Sequence, residues 1–394
     1  MTDINKSIAI TLVNSALTGQ PIELPDDLDY AELHRFAVRH NIVVLVYYGL
    51  VNSGMDPDSG DGLNFFISAC QYISLAERQD ACTTGLFEVF EEHGIDYMPL
   101  KGTVIKSLYP NPEMRAMGDA DILIRKEQYE QIVELLEQSG YSFVKNSNNE
   151  YVWSKRDFCL ELHRYLLSPE HQDYFRVIGD GWLFAQKTDS SKSCYFMKNE
   201  DFFVHLVVHF AKHYRSSGIG IRHVTDIWLF LKAHPELDFE YVKCQLDKLK
   251  LTEFCDNIKK TAEVWFGGNE HDAVTELMTE KILQSGAFGT ADSLRASHAL
   301  KASKSGKNQN RFTRFVRTVF LPYRNMCLLF PVLKKVPVFL PFLWVWRIIY
   351  TAVNKKGRLT QHYNSIKSLS ADNIKKYEQE LQAVGLEYRF EEDD

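Results

Sequence analysis

The sequence predicts an α+β fold, a small mixed sheet with one helical region before it and another after it. Three observations carry this. Apolar residues recur at three- and four-residue spacing up to about residue 92, strand-like and helix-like runs alternate from Gly94, and helical spacing returns after Glu200. At 394 residues the chain fits two or three domains. Its 45% apolar content buries enough surface to exclude disorder for most of its length. The expected division is a helical region over 1–92, a sheet core over 93–198, a helical domain over 199–300 and a basic, aromatic segment with a terminal helix over 301–394.

In the first region AELHRFAVRHNIVVLVYYGL and LNFFISACQYISLAERQDACTTGLFEVFEEHG read as helices, and MDPDSGDG between them as a turn-rich loop. IDYMPL then reads as a strand, GTVIKSLYP as a short helix ended by Pro110, and DADILI as a second strand. KEQYEQIVELLEQSG is an amphipathic helix with Gly140 at its C-terminal end, and YSFVKN, EYVWS and FCLELHRYL are further strands. Beyond Glu200, DFFVHLVVHFAKHY, HVTDIWLFLKAH, YVKCQLDKLKLTEFCDNIKKTAEVWFG and DAVTELMTEKILQSG are helical runs. KASKSGKNQNRF reads as a polar basic linker, and ADNIKKYEQELQAVG as a closing helix.

The net charge of −7 hides an asymmetry: fifteen Lys and Arg and no Asp or Glu stand between Ser293 and Ala371, so the remaining chain carries −22. Seven scattered cysteines without a CxxC pair suit reduced thiols and a cytoplasmic location. Asp3 and a broken apolar stretch make the first residues an amphipathic helix rather than a secretion signal. The run from Val336 to Trp346 contains Pro337 and Pro341 and falls short of the ~20 apolar residues that span a bilayer.

The chemistry concentrates in MPLKGTVIKSLYPNPEMRAMGDADILI. Asp119 and Asp121 stand two apart at the start of a strand, so their carboxylates share a face. Converging carboxylates repel unless a cation lies between them, and hard oxygens suit Mg2+ or Mn2+ shared with substrate phosphates. Gly118 leaves room for a ligand against the backbone. In FCLELHRYL, Cys159, Glu161 and His163 line one strand face, which makes Glu161 a third carboxylate. Three such acids on neighbouring strands can hold two metal ions. Lys101 and Gly102 stand where the first strand hands over to a helix, a place that favours phosphate. Arg115, in the loop before the acid pair, is within reach of the same phosphates.

LKG, then YPNPEMRAMGDADILI, then a helix, a Gly-Tyr turn and a strand ending LELH resemble the uncharacterised nucleotidyltransferase family of the polymerase-beta-like superfamily. The resemblance covers residues 94–165 best and extends more weakly through HLVVHFAKHY, RHVTDIWLFL and LFPVLKKVPVFLPFLWVWR. It implies a mixed-sheet nucleotidyltransferase core in which Asp119, Asp121 and Glu161 bind metal. The implied reaction transfers NMP from an NTP to an acceptor and releases pyrophosphate, with Lys101, Gly102 and Arg115 on the triphosphate. The usual Gly-Ser of the superfamily is absent before the acid pair, and LKG stands upstream in its place. The other class of reading is a non-catalytic nucleotide-binding or antitoxin-like module on the same scaffold.

His205, His209 and His213 recur every four residues on one helical face. Packing is the first reading, a place in the cleft wall near Asp226 the second, and zinc the third, since no Cys or acid stands at ligand spacing. Asp226 is also the one residue that suggests itself as a general base. The basic segment over 311–358 (Arg311, Arg314, Arg317, Arg324, Lys334, Lys335, Arg347, Lys355, Lys356, Arg358) carries three readings. Docking on the protein itself or a partner comes first, peripheral contact with an anionic membrane second, nucleic acid third. Prolines spaced along it argue against one long amphipathic helix.

Overall fold

The computed structural model describes residues 3–147, 149–189, 191–304, 320–321, 323–334, 336–354 and 371–388. They fall into two compact units. One runs to Thr290 and includes Ala383–Leu386; the other holds the described residues from Ala291 to Gln382 with Glu387 and Tyr388.

The first unit begins with α1 (Asp3–Thr18), α2 (Tyr30–His40), α3 (Val43–Asn52) and α4 (Gly60–His93). The run from Ala31 to Leu50 is two helices, because Asn41 adopts φ +55° and its N–H closes on the carbonyls of Ala37 and Val38. Asn tolerates this left-handed turn better than most residues. Gly49 of α3 lies so close to α1 that a Cβ would stand 2.2 Å from the Leu12 carbonyl oxygen. Ser59 caps α4 by accepting from the Gly62 N–H, and Gly94 ends it at φ +66°.

The sheet contains β1 (Tyr97–Pro99), β2 (Ala120–Ile124), β3 (Ser142–Asn146), β4 (Glu150–Lys155) and β5 (Phe158–His163), with α5 (Gly102–Ile105) between β1 and β2 and α6 (Tyr129–Gln138) between β2 and β3. Its order is β1-β2-β5-β4-β3. The β2–β5 pair is parallel and the other neighbours are antiparallel. Each of these strands lies in a run whose alternation predicts it, and the α+β class stands.

Alternation gives the sheet two unlike faces. Ala120, Ile122 and Ile124 of β2, Leu160 and Leu162 of β5 and Trp153 of β4 join Phe90 of α4 and Leu136 of α6 in one buried cluster. Each of the isoleucine, leucine and phenylalanine side chains contributes about 1.5–3 kcal/mol on burial. The register pairs Asp121 with Glu161, Val152 with Glu161 and Glu150 with His163, so the polar residues collect on the other face.

Further along come α7 (Gln172–Ile178) and a small antiparallel pair, β6 (Ala185–Lys187) with β7 (Tyr195–Met197). Then follow α8 (Asn199–Tyr214), α9 (Ile221–Ala233), α10 (Phe239–Leu249), α11 (Thr252–Ala262) and α12 (Ala273–Ser285). The run from Tyr241 to Gly267 reads as one helix in the sequence but divides at Lys250. That residue takes φ +55°, and its N–H and that of Leu251 close back on the Leu246 carbonyl.

The second unit contains α13 (Ala291–Lys304), α14 (Tyr323–Leu329), α15 (Leu340–Asn354) and, up to Gln382, α16 (Ala371–Ala383). Within it Lys304 pairs with Glu378, and Met326, Cys327 and Leu333 form a small buried cluster. The prolines do not prevent a helix here. Pro341 occupies the first turn of α15, where its missing N–H has no partner to lose. Most of the linker beyond Lys304, and Arg311, Arg314, Arg317, Lys335, Lys355, Lys356 and Arg358 of the basic segment, lie outside the described residues. Among the described residues no helix is long and apolar enough to cross a membrane.

Candidate active site

The polar face of the sheet opens on a cleft of about 340 Å³ whose other wall comes from α8, α9 and the loop at Ala287 and Phe288. Ligand sites commonly enclose ~300–1,000 Å³. A larger cavity of about 590 Å³ is lined by Leu75, Cys82, Leu86, Val89 and Tyr141 together with Arg78, Lys155 and Asp157, and holds none of Asp119, Asp121 and Glu161.

Asp121 is buried, and its Oδ1 accepts from Lys101 Nζ and from His163 Nε2, each at 2.6 Å. The Asn149 amide lies 3.2 Å from His163 Nδ1. With that amide donating, the imidazole proton sits on Nε2 and points at Asp121. Glu161 Oε2 is 3.9 Å from the same Nε2. The ligand atoms of Asp121, Glu161 and His163 all lie within 4.8 Å of one another, and among the described residues this is the group that could hold a metal ion. Asp119, half-buried just before β2, lines the same cleft outside that tight set.

The electrostatics record the crowding. Burial, then Asp119 and Asp121, pushes the Glu161 carboxyl up to about 8. Burial and Asp121 also raise Asp119. For Asp121 burial opposes ionisation, but Lys101 and His163 outweigh it and hold the carboxyl well below the usual range. Lys101 is raised in return, Asp121 and Asp119 outweighing its own burial. Carboxylates that cannot all ionise together form an oxygen donor set that fits a divalent cation such as Mg2+ or Mn2+, with the His163 Nε2–H orienting Asp121 beside them.

Lys101 sits in the left-handed region at φ +47°, a conformation costing about 1–3 kcal/mol for a residue with a side chain. The Leu100 N–H bond to the Asp121 carbonyl and the ammonium contact with the Asp121 carboxylate hold it there. The helix expected to gather phosphate after it, α5, is a single turn whose Val104 and Ile105 N–H groups already bond the Lys101 carbonyl. Gly102 has a packing reason, since a Cβ would press to 3.3 Å from Met117 Sδ and 3.4 Å from Arg115 Nη1. At Gly118 a Cβ would meet only the Phe288 ring, at an ordinary 3.8 Å.

Arg115 does not present a free guanidinium to a phosphate. Its Nε and Nη2 donate to the two oxygens of Asp226, both at 2.7 Å, and Nη1 donates to the Ala116 carbonyl at 2.9 Å. Tyr109 OH donates to the same Asp226 at 2.7 Å. The general base suggested by the sequence is therefore the buried anchor of Arg115, and the pair ties the loop before the acids to α9.

The histidines of α8 separate. His205 is buried, with neither ring nitrogen partnered among the described residues, and stands outside the cleft; burial, then Lys101, lowers it to about 3. His209 and His213 line the cleft with His223 of α9, their ring centroids 4.4 and 5.8 Å from that of His209. Burial, then neighbouring cations, keeps all three well below the ordinary imidazole range, so they are neutral at pH 7. No zinc set is gathered from His205, His209 and His213 among the described residues.

Five charged or imidazole-bearing cleft residues were not assigned from the sequence: Glu150, His163, Lys212, Arg222 and His223. Lys212 makes no hydrogen bond or ion pair among the described residues, and burial, then Lys101, lowers its ammonium to about 8. Arg222 donates from Nη1 to the Ala116 carbonyl at 3.0 Å while its Nε has no partner among the described residues, and burial lowers it to about 10.

A five-stranded mixed sheet presenting paired acids to a cleft, with helices behind it, is an α+β fold. The chain belongs to the family described as uncharacterised nucleotidyltransferase, whose model matches residues 26–267, more than half of the chain. Membership supports nucleotidyl transfer in general. Among solved structures the chain is similar to the antibiotic-resistance factor ANT(2'')-Ia, at 11% identity and a TM-score of 0.33, over 43% of this chain and 90% of that one. No curated protein sequence matches the chain.

Proposed function

We propose that the protein is a metal-dependent nucleotidyltransferase that moves an NMP group from an NTP to an acceptor and releases pyrophosphate. One observation carries the reading: Asp121 and Glu161 are register partners on the parallel pair β2 and β5, and with Asp119 they open on a cleft whose other wall holds Lys212 and Arg222. In this reading residues 93–198 supply the acids and 199–300 the facing wall.

Asp119, Asp121 and Glu161 would hold Mg2+ or Mn2+, which supplies positive charge to the triphosphate and to the attacking oxygen. The remaining work belongs to the chain's own groups. His163 keeps the Asp121 carboxylate oriented through its Nε2–H. Lys101 offers a point charge to the triphosphate from its place beside Asp121, and Gly102 and Gly118 leave the approach free of side chains. Arg222 adds a second cation on the Asp119 side. Arg115, locked on Asp226, fixes the loop that delivers Gly118 and Asp119. Lys212, unpaired among the described residues and lowered to about 8, takes the proton of the acceptor near neutral pH. Rate would come from positioning and charge stabilisation, with no covalent intermediate.

The test is incubation of the purified protein with each labelled NTP, Mg2+ or Mn2+, and cell extract, against Asp119→Ala/Asp121→Ala. Label transfer and pyrophosphate release in wild type alone support the reading. Their absence from every combination would leave a nucleotide-binding module on the same scaffold.

A further inference from the structure

Helix α15 of the second unit is apolar on two opposite sides. Leu340, Leu343 and Trp344 pack against Met326, Cys327 and Leu333, and the Trp344 indole N–H donates to the Leu321 carbonyl at 2.9 Å. On the other side Phe342, Val345, Trp346, Ile349 and Tyr350 are each more than half exposed, between 52% and 69%. At ~100° per residue these five positions form one stripe about 140° wide. The turn before the helix extends it with Val338, exposed by 76%. A continuous aliphatic and aromatic stripe left bare on a soluble surface marks an interaction site.

Charge says what covers it. The stripe lies within the stretch of fifteen bases and no acid, with Lys334 and Lys335 before α15 in the chain and Lys355, Lys356 and Arg358 after it. We propose that α15 docks the second unit on an anionic lipid surface, its exposed stripe among headgroups and upper acyl chains, the bases drawn to lipid phosphates. A second copy of the chain would bring like charge against like charge. A nucleic acid would match the bases but leave Val345 and Ile349 without a use. Tyr and Trp beside aliphatic residues suit the zone where water meets hydrocarbon. Fifteen residues reach about 22 Å, short of the ~30 Å hydrocarbon core, so the helix lies in the plane of the surface.

The experiment is co-sedimentation of the full-length protein with phosphatidylcholine vesicles, with and without about one-third phosphatidylglycerol, at low and high salt. Expected are binding to the anionic vesicles only, loss of binding at high salt, a blue shift of tryptophan fluorescence on binding, and an affinity about tenfold or more lower in Trp346→Ser/Ile349→Ser. Phe342→Ser, elsewhere on the stripe, weakens binding in the same way, while thermal unfolding of both variants matches wild type. Three results overturn the proposal: no vesicle binding, binding indifferent to lipid charge, or a wild-type dimer that the double variant converts to monomer. RNA binding that the variants leave intact, with no vesicle binding, overturns it as well.

Discussion

In the proposed reaction Glu161 sets how divalent-ion binding depends on pH. Its carboxyl keeps a proton up to about pH 8, because burial and the charges of Asp119 and Asp121 penalise ionisation. An ion bound through its oxygens must displace that proton. Each pH unit below about 8 then weakens binding about tenfold, or ~1.4 kcal/mol, so the loss between about pH 8 and about pH 6 approaches a hundredfold. Asp121 adds nothing to this dependence, since Lys101 and His163 already hold it ionised. Asp119, raised by burial and by Asp121, works in the same direction as Glu161. Calorimetric titration with Mn2+ and no nucleotide, in two buffers of different ionisation enthalpy, reads both the affinity and the protons released. The expected result is about one proton released per ion near pH 6.5, fading above about pH 9. Glu161→Gln binds more weakly and with a flatter pH dependence. An affinity constant across this range, with no proton released, would refute the reasoning.

Three further outcomes are expected. Asp226→Asn leaves the Arg115 guanidinium buried without its counter-charge and lowers stability by about 3–5 kcal/mol in urea denaturation, a loss under about 1 kcal/mol excluding the anchoring role. His205→Leu removes two unpartnered buried nitrogens and holds stability near pH 7 within about 1 kcal/mol of wild type; a drop beyond about 2 kcal/mol would show that the imidazole has a partner that matters. His205 titrates near 3 in the folded chain, below its unfolded value, so its contribution is full above about pH 6.5 and is lost as pH falls toward 3. The variant should therefore unfold at a lower pH in acid titration. At saturating divalent ion, Lys212→Met lowers turnover about a hundredfold with little change in the KM for NTP and removes the pH dependence near 8, whereas a change confined to KM would assign Lys212 to nucleotide binding.

The strands of the core are legible in the sequence because period two is a local property: it puts Asp121 and Glu161 opposite their apolar neighbours before any tertiary contact is known. Even His163 is legible as a residue of that face, two positions after Glu161, although nothing local shows that it bonds Asp121. The helix breaks at Asn41 and Lys250 are harder, since each relies on a left-handed residue that is not glycine and follows an uninterrupted apolar pattern. Arg115 and Asp226 stand 111 residues apart in the chain, and no periodicity links them. An arginine beside an acid pair resembles a phosphate ligand until its partner is seen. Lys212 and Arg222 escape notice for the same reason: on a half-apolar helix a base usually marks the solvated side, and only the sheet across the cleft gives these two another purpose.

The parallel pairing of β2 with β5 has a consequence for how such a chain can change. The distance between Asp121 and Glu161 is set by a backbone ladder, with Ala120 opposite Leu160 and Ile122 opposite Leu162, and hardly at all by the residues that connect the strands. Lengthening the β3–β4 turn around Ser147 and Asn149 would leave that spacing untouched. One residue inserted between Phe158 and Leu160 would shift β5 out of phase, bringing a leucine to the cleft and driving Glu161 into the apolar core. The sequence of this protein is therefore free to drift in length across its hairpin, while the short stretch from Phe158 to Glu161 must keep count.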